Sequence, residues 1–239
     1  MQETKNCLPG YHEREKLMNT ALIQNIYRYL IYGVALLTAL PFHEFAHAWT
    51  ANKLGDPTAR NQGRMTLNPA AHLDPLGALL MLFTGIGWAK PVPINPYNFR
   101  KPKWGMAVSS LAGPMSNLLL AFLCMIGWKV SYIADFYVGG ILTQNLLNIF
   151  RTMISINVGL AVFNLIPVPP LDGSRILNLV LPERTYFSIM RYERIIMIVL
   201  MVAVWIGLLN TPLSFCRRVA FNALDFLTGW IDMLWRLIA

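Results

Sequence analysis

Long apolar segments alternate with short polar ones along most of the chain, and this pattern predicts a helical membrane protein. Segments that reach or approach the roughly 20 residues needed to cross a bilayer are 19–42, 105–128, 139–166, 187–209 and 215–238. We interpret the first four as spans. The last carries Asp225 and Asp232, so it either packs as a polar-seamed helix or lies along the membrane surface. The predicted fold class is an all-α polytopic membrane protein, a bundle of four to six transmembrane helices.

The connection between residues 53 and 104 differs from the rest of the chain. It is rich in proline, with Lys90-Pro91-Val92-Pro93 as its clearest example, and its apolar run at 76–88 is too short to span comfortably. Irregular backbone at membrane depth must be buried in protein or line a wet cavity, because unpaired amides in lipid are costly. We therefore expect a re-entrant hairpin or loop here, inside one membrane domain of residues 19–239 that follows a polar N-terminal tail of residues 1–18.

Composition and charge support a membrane protein and argue against a nucleic-acid partner. Hydrophobic residues make up 55% of the chain and charged residues 13%, against about 25% charged in soluble domains. The net charge is +8, but the basic residues lie in loops rather than on one soluble face, which favours a lipid bilayer surface over nucleic acid. The positive-inside rule places the basic 53–104 connection in the cytoplasm. The expected location is the cell membrane, with several passes.

The candidate chemistry lies in the first apolar helix, in the motif His43-Glu44-Phe45-Ala46-His47. Residues four apart share a helix face, so His43 and His47 can present two imidazoles to one metal, while Glu44 lies about 100° round the helix. This spacing fits zinc, which then needs at least one more protein ligand and an open position for water. Three ionisable groups within an apolar helix also require a functional reason.

Counting the remaining histidines and acids indicates a third ligand. His12 and His72 lie in polar segments, and the acids that remain open are Asp74, Asp135, Asp172, Asp225 and Asp232. Asp172 differs from the others because it follows a proline-broken stretch directly after an apolar segment, where a carboxylate can be turned inward at membrane depth. Binding to a cation would offset the cost of its charge. The alternative role for Asp172 is to cap the helix that follows it.

Topology places the two motifs at one depth. If the spans alternate, His43 lies about ten residues before the basic connection, roughly 15 Å from the cytoplasmic face. Asp172 follows the third span, which crosses in the same direction as the first, so it lies near the same face. The active site is therefore expected towards the cytoplasmic side.

Five motifs between residues 42 and 180 resemble the site-2 protease family, peptidase family M50, and especially its short bacterial members without PDZ or CBS domains. They are His43-Glu44-Phe45-Ala46-His47, Leu54-Gly55-Asp56-Pro57-Thr58-Ala59-Arg60, Leu67-Asn68-Pro69-Ala70-Ala71-His72-Leu73-Asp74-Pro75, Gly113-Pro114-Met115-Ser116-Asn117 and Asn164-Leu165-Ile166-Pro167-Val168-Pro169-Pro170-Leu171-Asp172-Gly173. Asn117 has packing between helices as an alternative role.

The resemblance implies an intramembrane zinc metalloendopeptidase that cleaves a transmembrane protein substrate in regulated intramembrane proteolysis. It implies that His43, His47 and Asp172 bind one zinc ion and that Glu44 activates water. Asn164 is implied to hold the substrate or the oxyanion, and His72 stays outside the metal shell. Two alternatives remain open: a zinc-dependent membrane hydrolase of another substrate class, and a non-catalytic zinc-binding membrane scaffold. The oligomeric state is not predicted.

Overall fold

The structure is a computed structural model that describes residues 11–74, 77 and 90–238. Its helices, in chain order, are α1 (Tyr11–Lys53), α2 (Thr58–Asn61), α3 (Pro102–Tyr137), α4 (Ile141–Asn164), α5 (Asp172–Leu177), α6 (Glu183–Met190), α7 (Glu193–Trp205) and α8 (Asn210–Ile238). Short 3-10 helices lie at Pro69–Ala71 and Pro96–Asn98. The prediction of an all-α helical membrane protein is confirmed.

Three of these helices are long and apolar enough to cross a membrane: Leu22–Lys53 of α1, and the whole of α3 and α4. They contain the predicted spans 19–42 and 105–128 and most of 139–166. Helix α1 begins at Tyr11, so it also includes residues 11–18 of the predicted polar tail. The predicted re-entrant run at 76–88 lies outside the described residues, apart from Gly77.

The predicted span at 187–209 is not one continuous helix. Helix α6 ends at Met190, and α7 has only 13 residues, about 20 Å of helix against a hydrocarbon core of about 30 Å. Gly207 then takes a φ of +77°, a left-handed conformation that commonly ends helices. Helices α7 and α8 meet at 83°, and only together do they meet the length and hydropathy required of a span. The described residues therefore contain three candidate spans, or four if this bent pair counts as one.

Helix α3 is the centre of the bundle and contacts α1, α4, α5 and α8. The main core cluster joins three helices through Ala121, Cys124, Met125, Ile154, Val158 and Leu224. Small residues on α3 allow close packing: a Cβ atom added to Gly127 would lie 2.6 Å from the ring of Phe150 on α4. Helix α4 therefore packs closely against α3 at this position.

Helix α8 packs along the second half of α3 through an ionic seam. Lys129 of α3 is buried, and its Nζ atom lies 2.9 Å from Asp225 Oδ1 and 2.5 Å from Asp232 Oδ2. Further along both helices, the ring of Trp235 contacts the ring of Tyr132. The two acids of the final apolar segment therefore form a polar seam between helices, one of the two arrangements that the sequence left open.

Candidate metal centre

The structure brings three side chains of the predicted site together. The Nε2 atoms of His43 and His47 lie 3.0 Å apart, and Asp172 Oδ2 lies 3.1 Å from the first and 3.3 Å from the second. Ligands about 2.0–2.1 Å from a tetrahedral zinc ion lie about 3.3 Å from one another. Among the described residues, these three side chains form the one group of His, Cys, Asp or Glu whose ligand atoms lie close enough together to hold a metal ion.

The two helices that carry these ligands place them by different means. His43 and His47 lie one turn apart on α1 and are both buried. Asp172 is the first residue of α5, and Leu171 precedes the helix as the N-cap residue without a side-chain capping bond. The Asp172 carboxylate faces the imidazoles instead. The structure therefore places the Asp172 carboxylate beside the two imidazoles, where the ligand interpretation requires it.

The polar atoms around the centre fit a cation. His47 Nδ1 lies 2.6 Å from the carbonyl oxygen of Ser109, which can only accept, so Nδ1 carries a proton and the neutral ring presents a lone pair at Nε2. Asp172 Oδ2 is buried and has no hydrogen-bond donor among the described residues. Electron-rich atoms that converge at about 3 Å need a positive charge between them, and a zinc ion would supply it.

Because Gly113 of α3 has no side chain, the imidazoles of His43 and His47 can occupy the space beside it. A Cβ atom at this position would lie 2.3 Å from His47 Nε2 and 2.6 Å from His43 Cε1. Even alanine would therefore overlap the ligand atoms. The sequence analysis gave the Gly113 motif only as part of the family resemblance, so this direct contact with the centre was not predicted.

Glu44 is buried and is held by a backbone amide from the proline-rich connection. Its Oε2 atom accepts a hydrogen bond of 3.0 Å from the N–H group of Val92. Pro91 and Pro93 have no N–H group, so Val92 supplies the one amide donor of this tripeptide. The signal in the sequence was a single non-proline residue between two prolines, but no pattern linked it to Glu44.

Buried polar side chains hold this connection in place. The guanidinium of Arg64 donates to the carbonyl oxygens of Lys90 and Pro91 at 2.6 Å and 3.3 Å. The N–H group of Lys90 donates to the carbonyl oxygen of His72 at 2.8 Å. These contacts hold Lys90 and Pro91, the two residues just before Val92, in place. The loop therefore positions the Val92 N–H group that donates to Glu44.

Asp56 anchors the same connection further along. Its carboxylate is fully buried and accepts hydrogen bonds from the Asn95 N–H group and the Asn98 side chain, both at 2.7 Å, and from Thr58. Burial by itself would raise the pKa of Asp56, but the hydrogen bonds from Thr58, Asn98 and Asn95 outweigh it and lower the pKa below its ordinary value of 3.8. Asp56 is thus a structural anion that ties the end of α1 to residues 95–98.

We expect Asp56→Asn to lower the free energy of unfolding at neutral pH by about 1.5–3 kcal/mol, because hydrogen bonds to a charged acceptor are lost. The folded-state pKa lies below the unfolded one, so ionised Asp56 stabilises the protein above about pH 4. That contribution disappears as the pH falls through the lowered value. Thermal unfolding in detergent should show a gap between wild type and variant that closes on acidification. Thr58→Ala, which keeps the charge, should cost less, and a pH-independent gap would contradict this role.

Two other residues from the sequence analysis lie outside the ligand group. Asn164 is the last residue of α4, half-buried, and its amide donates to the Leu160 carbonyl oxygen at 3.0 Å. His72 is buried, with Nε2 2.7 Å from the Thr66 carbonyl oxygen. The structure thus places His72 in the loop framework, and it shows Asn164 bonded within its own helix.

Most of the chain matches a known protein family. The model of peptidase family M50 matches residues 31–209 of the 239. A relative from Bacillus subtilis, "Putative zinc metalloprotease YwhC", is 43% identical over 155 residues, which cover 62% of this chain and 68% of the relative. A relative from Methanocaldococcus jannaschii, "Putative zinc metalloprotease MJ0611", is 30% identical over 151 residues, which cover 63% of this chain and 70% of the relative.

A third relative is matched over a smaller share of its length. Rip2 of Mycolicibacterium smegmatis is 31% identical over 147 residues, covering 57% of this chain and 52% of the relative, so the match spans about half of that protein. No solved structure was found to match the chain. The family model covers the metal centre and all three candidate spans, apart from the N-terminal part of α1. The prediction made from the motifs is confirmed, and the chain belongs to peptidase family M50.

Proposed function

We propose that this protein is a zinc metalloendopeptidase that hydrolyses a peptide bond within or near a transmembrane segment of a membrane protein. The observation that carries the proposal is the triangle of His43 Nε2, His47 Nε2 and Asp172 Oδ2, with sides of 3.0–3.3 Å. Its two histidines lie on α1, an apolar helix long enough to cross a bilayer. The names of the relatives support zinc metalloprotease chemistry. The membrane substrate and its cleavage in regulated proteolysis rest on the apolar surroundings of the site and on the family.

His43, His47 and Asp172 would hold the zinc ion, which supplies Lewis acidity that activates water and polarises a peptide carbonyl. Glu44 acts as the general base: it accepts a proton from the attacking water and returns it to the departing amine. The Val92 N–H group binds Glu44 Oε2, which orients the carboxylate and leaves Oε1 for the proton. Glu44 is thus fixed before substrate arrives.

Asn164 is the proposed donor to the oxyanion. Its amide has two N–H groups, and the bond to the Leu160 carbonyl oxygen uses one of them. The other can donate to the negative charge that develops on the scissile carbonyl oxygen. A substrate helix must also unwind at the cleavage point, since each amide of a regular helix is hydrogen-bonded and its carbonyl carbon is shielded.

We propose that the site faces the cytoplasmic side of the cell membrane in a multi-pass protein. Residues 53–104 carry seven basic and two acidic residues, which the positive-inside rule assigns to the cytoplasm. This connection also holds Glu44 through Val92. A depth of roughly 15 Å for His43 requires a polar path for water from that side.

Removal of the metal tests the proposal. The full chain, reconstituted in liposomes with a single-span peptide, should cleave the peptide, lose this activity on treatment with a strong chelator, and recover it with about one equivalent of zinc. Cleavage is measured by mass spectrometry of the products, which also locates the cut relative to the apolar segment. Zinc binding without cleavage of any membrane peptide would contradict the protease and favour a scaffold.

A further inference from the structure

We propose that Asn117 is a positioning residue for the metal centre: its side-chain oxygen accepts a hydrogen bond from His43 Nδ1 and so directs His43 Nε2 to the zinc ion. The inference rests on the zinc site proposed above. It assigns a role to a buried amide for which packing between helices was the alternative.

The position of the proton on each imidazole decides which ring nitrogen can bind zinc. A histidine that binds zinc through Nε2 must present a lone pair there, so a neutral ring carries its single proton on Nδ1. Nδ1 is then a donor and needs an acceptor beside it. Such partners fix the orientation of the ring and raise its basicity.

For His47, that partner is unambiguous. Its Nδ1 atom lies 2.6 Å from the carbonyl oxygen of Ser109, and a carbonyl oxygen only accepts. The atom types alone therefore place a proton on His47 Nδ1, and in the neutral ring Nε2 is then free for a metal.

For His43, the neighbour is the amide of Asn117. Asn117 is fully buried, its Nδ2 atom lies 3.2 Å from His43 Nδ1, and its buried Oδ1 atom has no hydrogen-bond partner in the part of the chain that the structure describes. When His43 carries the proton on Nδ1, this arrangement brings two donors together and leaves an acceptor unpaired. A buried polar atom without a partner destabilises the protein.

A half-turn of the Asn117 amide removes both faults. The oxygen and the NH₂ group are nearly identical in size, so the exchange leaves the packing unchanged. Oδ1 then lies opposite the His43 Nδ1–H group, and the unpaired acceptor gains a donor. We infer that this orientation accompanies zinc binding.

The resulting arrangement follows one face of α3. Ser109, Gly113 and Asn117 are spaced four residues apart and therefore lie in a row. Ser109 orients His47, Gly113 leaves room for both rings, and Asn117 orients His43. One helix thus sets the position and the protonated nitrogen of both imidazoles on its neighbour.

Zinc affinity of the full chain in detergent, measured by competition with a chromophoric chelator after removal of metal, tests the inference. Asn117→Leu, which has similar volume and no acceptor, should raise the Kd for zinc by about 10–100-fold. Asn117→Asp should restore wild-type affinity, since a carboxylate accepts from imidazole in many zinc sites. If Asn117→Leu does not fold, Asn117→Ala takes its place in the comparison.

A matched control separates this role from general packing. Asn157 on α4 is also fully buried, and its Oδ1 atom also has no hydrogen-bond partner among the described residues, but its Nδ2 group donates to the Met153 carbonyl oxygen and not to a histidine. Asn157→Leu should therefore change thermal stability and leave the zinc Kd unchanged. Wild-type affinity in Asn117→Leu, or Asn117→Asp binding as weakly as Asn117→Leu, would overturn the inference. Wild-type protein that binds no zinc would instead overturn the proposed function.

Discussion

Replacing Glu44 with glutamine is expected to slow peptide cleavage by about 10²–10⁴-fold, the usual contribution of a general base, while zinc binding stays at the wild-type level. Glu44 lies outside the ligand group formed by His43, His47 and Asp172. Glutamine has the same shape, and its amide oxygen can still accept the hydrogen bond from Val92. The substitution therefore removes the proton acceptor and little else.

Two measurements on the same preparation check this expectation. The kcat/KM for a single-span peptide should fall, and zinc content should remain near one equivalent after gel filtration. Glu193→Gln serves as a control, because it removes a carboxylate from the first turn of α7 that is not part of the ligand group, and should leave cleavage unchanged. Full activity in Glu44→Gln would exclude Glu44 as the base, and loss of zinc would make it a ligand.

Gly113→Ala is expected to lower zinc affinity and cleavage together, with activity falling by more than about 100-fold. The added Cβ atom would lie 2.3 Å from His47 Nε2 and 2.5 Å from His47 Cε1, closer than atoms in real structures approach. The imidazoles or α3 must shift, and a displacement of about 1 Å in a catalytic arrangement can cost about 10²-fold in rate. The variant adds a single methyl group and removes no polar atom.

Two other glycines make matched controls for this variant. A Cβ atom at Gly33 of α1 meets nothing within 4 Å, whereas one at Gly127 of α3 meets the Phe150 ring at 2.6 Å. Gly33→Ala should be neutral or slightly stabilising, since alanine favours helix. Gly127→Ala should lower the unfolding temperature without changing the zinc Kd. Tight zinc binding by Gly113→Ala would show that the rings can move aside, contrary to this expectation.

The apolar pattern predicted the long helices but could not detect where a helix turns. Helices α1, α3 and α4 follow from uninterrupted apolar length, which has to be buried in lipid or protein. The 187–209 segment is just as apolar, yet it contains the break before Glu193 and the left-handed conformation of Gly207. Hydropathy averages over such positions, because a turn depends on the conformation of one or two residues.

For the metal centre too, the sequence predicted some residues and not others. The two histidines follow from helix periodicity, and Asp172 was selected as a ligand because prolines break the chain just before it. Contacts made by backbone atoms could not be predicted, since the Ser109 carbonyl oxygen and the Val92 N–H group exist whatever the side chain is. The role of Gly113 could not be predicted either, because it depends on the absence of a Cβ atom where the two imidazoles pack against α3.

The ionic seam between α3 and α8 has a consequence for biogenesis. Lys129 lies in the second half of a helix long enough to span a membrane, where an unpaired lysine is costly. Its partners Asp225 and Asp232 follow it in the sequence by 96 and 103 residues. The seam therefore forms only after α8 has been synthesised, and until then Lys129 lacks the two carboxylates that neutralise its charge in the folded bundle.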